Sequence, residues 1–302
     1  MINRAEKRAA TGHPYKKLPL ILIMVALAVA FLFPIFIVFT NSFMGSFEIV
    51  TRYTHIVRAG NMLHTLPENE AIHFVRLTLI PGFVTLGQYA SLLFGNPEYL
   101  GRFWNSVALA LPIIIGQVVI SAPAAYAFEL SSFRRKETVY FIYVVVMLMP
   151  LQVALVPNFL MADWLGIQES RLAIILPGMV APFGVFIMRQ FLRGLPRDYI
   201  EAAQMDGAGH IRVVAMIITP LFKPAFAALM MLTFVENWNL VEQPRIFLDT
   251  LQQPLSVYLA QMAVANPDMI FAASFFYLLP PVLVFLYGQE HMVEGIQLSG
   301  IK

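Results

Sequence analysis

The sequence predicts an all-α membrane protein of six transmembrane helices with a helical cytoplasmic loop, and three observations carry that expectation. Apolar residues make up 59% of the 302-residue chain and charged residues only 13%, whereas soluble domains carry roughly 25% charged residues. Six apolar runs approach or exceed the roughly 20 residues that cross a bilayer as a helix. The basic residues also alternate in density from one interhelical segment to the next, as the positive-inside rule requires of a multi-pass chain.

The first run is "LPLILIMVALAVAFLFPIFIVF", residues 18–39, preceded by Arg4, Lys7, Arg8, Lys16 and Lys17. That prelude is like the start of a signal peptide. Twenty-two apolar residues exceed a signal core, however, and no small-x-small cleavage site follows, so an uncleaved spanning helix is expected. The second and third runs are "FWNSVALALPIIIGQVVISAPAAYAF" (103–128) and "VYFIYVVVMLMPLQVALVPNFLM" (139–161). The fourth is "LAIILPGMVAPFGVFIMRQFL" (172–192), the fifth "LFKPAFAALMMLTFVENWNLV" (221–241) and the sixth "MIFAASFFYLLPPVLVFLYG" (269–288). Several contain proline, which a spanning helix tolerates as a kink when neighbours satisfy the freed carbonyls.

A seventh stretch, "LTLIPGFVTLGQYASLLF" (77–94), has spanning length but is diluted by Pro81, Gly82, Gly87 and Gln88. Charge arbitrates. With six spans and a cytoplasmic N-terminus, fourteen of the twenty Lys and Arg residues fall inside, among them Arg134, Arg135, Lys136, Arg189, Arg193, Arg197, Arg212, Lys223 and Lys302. Outside fall Arg52, Arg58, Arg76, Arg102, Arg171 and Arg245. A seventh span would reverse the bias downstream. The expected organisation is therefore a cytoplasmic segment 1–17, a first helix 18–40 and an extracytoplasmic loop 41–102 holding a surface-lying helix. A five-helix core 103–290 and a cytoplasmic tail 291–302 follow.

Several chemistries are excluded. Without cysteine there is no disulfide or thiolate nucleophile. No phosphate-cradling G-x-x-x-x-G-K-[ST] loop, no H-E-x-x-H and no G-x-S-x-G occurs. His13, His55, His64, His73, His210 and His291 show no metal spacing. The formal net charge of +2 gives no ground for a nucleic-acid partner. No catalytic residue, metal site or resident cofactor is expected.

One polar interruption stands out: "LPRDYIEAAQMDGAGHIRVVAMIITPLFKP", between the fourth and fifth spans on the basic, cytoplasmic side. Pro196 suits a first helical position, Asp198 and Glu201 favour the positive N-terminal end, and Gly207 and Gly209 stop the helix. At 100° per residue Ile200, Ala203 and Gly207 share one face, and Asp198, Glu201 and Met205 another. A face of Ile, Ala and Gly would let a foreign surface approach closely. "HIRVVAMIITPLF" reads as a second helix leading into the fifth span. The pattern favours a docking element, with an ordinary solvated loop as the alternative.

These residues resemble the EAA loop of ABC-importer permeases, which reads E-A-A, three residues, G, nine residues, then I-x-L-P. Glu201, Ala202, Ala203 and Gly207 match, as do Ile217 and Pro220, while Thr219 stands where the family has Leu. The stretches "NSVALALPIIIGQVVISAPAAYAFELSSFRRK", "APFGVFIMRQFLRGLPRDYIEAAQMDGA", "NWN" (237–239) and "EHMVEGIQLSGIK" are similar to carbohydrate permeases of the maltose-transporter type. The resemblance covers about 100–302 and, more loosely, the first span. It implies a permease subunit of the type I importer fold in the cytoplasmic membrane, non-catalytic itself, that moves a sugar or oligosaccharide.

It further implies a second permease (another copy or a different chain), a dimer of ATPase subunits holding the ATP and Mg, an extracytoplasmic solute-binding protein and surrounding lipid. The loop 194–220 would be the coupling element, with Glu201, Ala202, Ala203, Asp206, Gly207 and Pro220 at the ATPase, and the tail after Val293 would reach the same interface. The alternatives are an importer of a non-sugar solute, or a stand-alone secondary transporter; the latter would need ionisable groups at mid-membrane, which the spans lack. Pathway candidates are Gln117, Gln152, Asn158, Asn237, Trp238 and Asn239, each of which could equally serve an interhelical hydrogen bond.

Overall fold

The computed structural model describes residues 14–61, 78–131, 133–196 and 198–300, of which 14–17, 54–61 and 291–300 are described as backbone. His13, His64, His73, Arg76, Arg197 and Lys302 lie outside the described residues. The backbone is helical nearly throughout, and the described residues hold one isolated antiparallel bridge, Met44 to Val84. They divide into two compact units: the chain up to Leu92 with Ala263–Phe275, and Leu93–Met262 with the chain from Phe276 onward.

In the first unit, α1 (Pro14–Asn41) is continuous through Pro19 and Pro34, and its apolar window is not buried by the rest of the chain. A short helix, α2 (Ser46–Asn61), follows. Between α2 and α3 (Gly87–Phe94) the described residues, 78–86, run through a series of bends without helix. Glu48 on α2 accepts the backbone N–H groups of Gly82 (3.1 Å) and Phe83 (3.3 Å), and Thr85 donates its N–H to the Phe43 carbonyl. The described part of this stretch, residues 78–94, thus forms no spanning helix: Pro81 and Gly82 break the backbone, and only the part from Gly87 coils. This agrees with six spans rather than seven.

The second unit is organised around α4 (Pro97–Leu130), one unbroken helix. At 1.5 Å per residue it is about 50 Å long, well beyond a hydrocarbon core of about 30 Å. It begins six residues before the predicted span because Asn96 caps it, its Oδ1 accepting the Tyr99 N–H, with Pro97 at the first turn. Around it pack α7 (Leu172–Met179) and α8 (Pro182–Leu192), the two halves of the fourth span. The approach is close: a methyl at Gly184 would overlap Ser121 Oγ and Gln117 Oε1, and one at Gly116 would overlap Met179. Small residues are what bring membrane helices into backbone contact.

The predicted third span is not one kinked helix. It is α5 (Lys136–Met147) and α6 (Leu151–Trp164), bent by 100° at a short break. Pro150, at ψ 140°, has no N–H to offer the preceding turn and disfavours helical geometry at Met149. The fifth span, α12 (Lys223–Trp238), is 16 residues and meets the preceding helical segment at 84°. Beyond it lie α13 (Glu242–Phe247) and α14 (Leu255–Ala265), in a stretch for which the sequence suggested no helix. The α14 start is held to α4: Ser106 Oγ accepts the Leu255 N–H, and Asn105 Nδ2 donates to the Leu251 and Gln253 carbonyls. The last helix, α15 (Ile270–Gly300), runs through Pro280 and Pro281 and past the predicted boundary at 290. Four helices are long and apolar enough to cross a membrane, and counting each bent pair as one span gives six among the described residues.

Candidate functional site

The polar interruption folds as α9 (Asp198–Met205), a turn, and α10 (His210–Val213). Its turn follows from backbone chemistry. Gly207 has φ +80°, a left-handed conformation that L side chains rarely adopt. Gly207 donates its N–H to the Gln204 carbonyl (3.0 Å) and Ala208 donates to the Ala203 carbonyl (2.9 Å). These two bonds make a Schellman cap, which satisfies carbonyls that the end of α9 would leave bare. The expected role of Gly207 as the turn residue is what the backbone shows.

The faces of α9 are assigned differently from the expectation. Ile200 is 5% exposed and lies in a buried cluster with Leu192, Val213 and Ile218, against which Ala203 and Ala208 pack. Ile200 and Ala203 of the predicted Ile–Ala–Gly face are therefore turned onto this chain's own core, where burying Ile200 contributes about 1.5–3 kcal/mol, while Gly207 at the turn stays exposed. The free face carries Asp198, Glu201, Ala202, Met205 and Asp206, all exposed. Met205 is 88% exposed and Ile211, across the turn, 87%. Large apolar side chains this bare, on an element that also exposes Asp198, Glu201 and Asp206, mark a surface suited to contact.

After α10 the helix widens into a π-turn, Val214–Ile218, and then α11 (Thr219–Leu221). Pro220 explains the widening, since its ring would clash with the carbonyl four residues back. Thr219, the departure from the family pattern, closes the wide turn: its N–H and its Oγ1 both donate to the Val214 carbonyl. Pro220 itself is exposed.

Both flanks of this element are tied to the end of α4. Upstream, Arg189 on α8 is buried and donates to Glu129 on α4 (2.9 Å) and to Glu137 on α5 (2.7 Å). Its guanidinium also lies 3.7 Å from the Tyr140 ring centroid. Downstream, His210 Nδ1 and Tyr126 Oη of α4 share a hydrogen bond at 2.9 Å. Arg189 had been counted among the inside basic residues; no sequence signal distinguished it as a buried one. Beside α10 opens an apolar cleft of about 1120 Å³, lined among others by Val118, Tyr126, His210, Phe226 and Tyr287.

The pathway candidates are dispersed. Gln117 is buried, donating to the Gly178 carbonyl and accepting from Thr233. Trp238, 1% exposed, stacks on Phe234 and Tyr277 and donates its indole N–H to the Tyr277 carbonyl. Asn237 donates to the Thr233 carbonyl. Asn239 donates to the Val235 carbonyl and accepts from Tyr277 Oη. Gln152 donates to the Glu242 carboxylate, and Asn158 is half-buried on α6. Gln117, Trp238 and Asn237 thus have packing roles, while Gln152 and Asn239 keep exposed edges.

Comparison with known proteins places these features. Over 291 residues the chain is 29% identical to the arabinooligosaccharides transport system permease protein AraQ of Bacillus subtilis (strain 168), covering 95% of this chain and 96% of that protein. It is 28% identical over 240 residues to the sn-glycerol-3-phosphate transport system permease protein UgpE of Pectobacterium atrosepticum, covering 76% and 85%. A crystal structure of a bacterial ABC transporter involved in the import of the acidic polysaccharide alginate has a chain of the same fold, with a TM-score of 0.74 at 20% identity over 92% of this chain and 96% of that one. The model of the family described as binding-protein-dependent transport system inner membrane component matches residues 117–293, more than half of the sequence and the whole of the α9–α11 loop. With that match, this chain belongs to the inner membrane components of binding-protein-dependent transport systems.

Proposed function

We propose that the chain is one permease subunit of an ATP-driven importer and that it passes the work of a separate ATPase to the membrane through the exposed face of α9. The observation that carries this reading is the build of the loop. A capped two-helix knob is anchored inward by Ile200 and Ala203 and presents Glu201, Ala202, Met205 and Asp206 outward. Glu201, Ala202 and Asp206 are contacts; Ala203, Gly207 and Pro220 shape the element that carries them. ATP and Mg belong to the ATPase. Closure of that subunit pair would shift the bundle between its two access states by rigid-body transmission. The basic residues on the side of this loop favour cytoplasmic N- and C-termini in the inner membrane.

The cargo we propose is a sugar or oligosaccharide delivered by an extracytoplasmic binding protein, with a second permease completing the pathway. Similarity to AraQ over nearly the whole chain supports this; similarity to UgpE favours a phosphorylated polyol as the second reading. Affinity purification from native membranes tests the assembly: an ATPase and a second permease should accompany the chain. Calorimetry on the accompanying binding protein with arabino-oligosaccharides and with glycerol 3-phosphate separates the two cargoes. Transport by the chain alone, without an ATPase, would contradict the proposal.

A further inference from the structure

We infer that the last two turns of α4 form a clasp that grips the coupling element on both flanks, with Glu129 and Tyr126 as positioning residues for transmission. The inference rests on the coupling role just proposed. Tyr126 and Glu129 are three residues apart and so share a face of α4. Glu129 holds Arg189, and at 3.5 Å also Arg193, on the segment that enters α9. Tyr126 holds His210, the first residue of the helix that leaves the turn. The coupling helix is thus suspended between two attachments to one rigid rod rather than hanging from the π-turn alone.

The upstream attachment is built as a buried ion-pair site. Arg189 is 1% exposed, and a guanidinium so placed needs partners to offset desolvation. Two carboxylates and the Tyr140 face supply them, from α4 and α5. A fork of donors meeting two separate acceptors fixes direction as well as distance, which a lysine cannot reproduce. The downstream attachment is weaker and partly exposed, a single hydrogen bond beside a ring contact of 5.7 Å. A displacement of α9 therefore has a direct route into α4, the longest described helix and the one against which α8 and α12 pack.

The lack of cysteine makes the test direct. A single cysteine introduced at Ser131, the residue capping α4, is labelled with an environment-sensitive fluorophore in the full complex of permease pair and ATPase in lipid nanodiscs. MgATP is the probe, and retention of the ATPase on the permease is scored in the same preparation. Tyr126→Phe combined with Glu129→Gln should keep the ATPase bound while the nucleotide-induced signal falls about tenfold, the factor carried by a lost charge-assisted hydrogen bond. Arg189→Met should behave alike, and Arg189→Lys should recover part of the signal. An undiminished signal in the double variant would overturn the clasp. So would loss of signal only in step with loss of folded complex, with no recovery in Arg189→Lys. Met205→Arg serves as the companion: if it too retained its ATPase, the coupling reading beneath the clasp would fall instead.

Discussion

The backbone N–H of Ala208 meets the carbonyl of Ala203 at 2.9 Å, across a glycine held at φ +80°. With the Gly207 bond to Gln204, it ends α9 and turns the chain into α10. It also draws Ala203 and Ala208 together against the buried cluster around Ile200, so these two alanines lie on the inner side.

The turn gives the first prediction. No atom lies within 4 Å of a Cβ built on Gly207, so a substitution there meets only backbone strain. Gly207→Val should cost about 1–2 kcal/mol at the turn, loosening α9 without unfolding the bundle. Gly207→Asn, which tolerates left-handed geometry, should retain more ATPase than Gly207→Val in pull-downs from membranes holding equal amounts of permease.

Opposite faces of α9 should fail in opposite ways. Ala203→Asp places a carboxylate against an apolar cluster, at a cost of order 1–3 kcal/mol or more, and should lower the thermal stability of the solubilised permease. Ala202→Arg, on the free face, should leave stability within about 0.5 kcal/mol and lower ATPase retention. Thermal unfolding followed by size-exclusion, alongside pull-down, separates the two.

A third prediction concerns helix approach. Any side chain at Gly184 must displace Ser121 and Gln117, so Gly184→Val should destabilise by about 1–3 kcal/mol through overpacking. Gly101, inside α4 and with nothing within 4 Å of its Cβ position, should accept alanine with a melting temperature unchanged or slightly raised, because alanine loses less backbone entropy in a helix.

Trp238 was a candidate for the sugar pathway, and its stacked, buried position gives it a different expected phenotype. Trp238→Ala should cost about 3–5 kcal/mol and abolish folded permease, whereas Trp238→Phe, which keeps an aromatic face, should fold. If Trp238→Phe assembled normally but lost one cargo while keeping another, a role in substrate contact would stand after all.

Much of this was written in the sequence, and the failures have physical causes. Spans were legible because hydropathy over 20 residues is a bulk property, and Gly207 because left-handed turns single out glycine. Helical periodicity told which residues of α9 share a face. It could not tell which face turns inward, since Ile, Ala and Gly suit both a core and a docking surface. The 100° break in the third span escaped because apolarity continues unbroken through Met149 and Pro150. The early start of α4 was present in Asn96, Pro97 and Glu98, a capping signature that hydropathy ignores. Arg189 escaped for a different reason: its partners, Glu129 and Glu137, are more than fifty residues away in sequence.

The central claim is that the outer face of α9 seats on the ATPase, and cross-linking tests it most directly. Single cysteines at Met205 and at Ala203 in this cysteine-free chain are compared in membranes containing the whole complex, with a short bifunctional reagent. Met205→Cys is expected to link to the ATPase, more strongly when nucleotide is bound, while Ala203→Cys links to it in neither state. A Met205→Cys permease that remains freely reactive toward a soluble thiol reagent, with no ATPase adduct in a complex shown to be intact, would contradict the account.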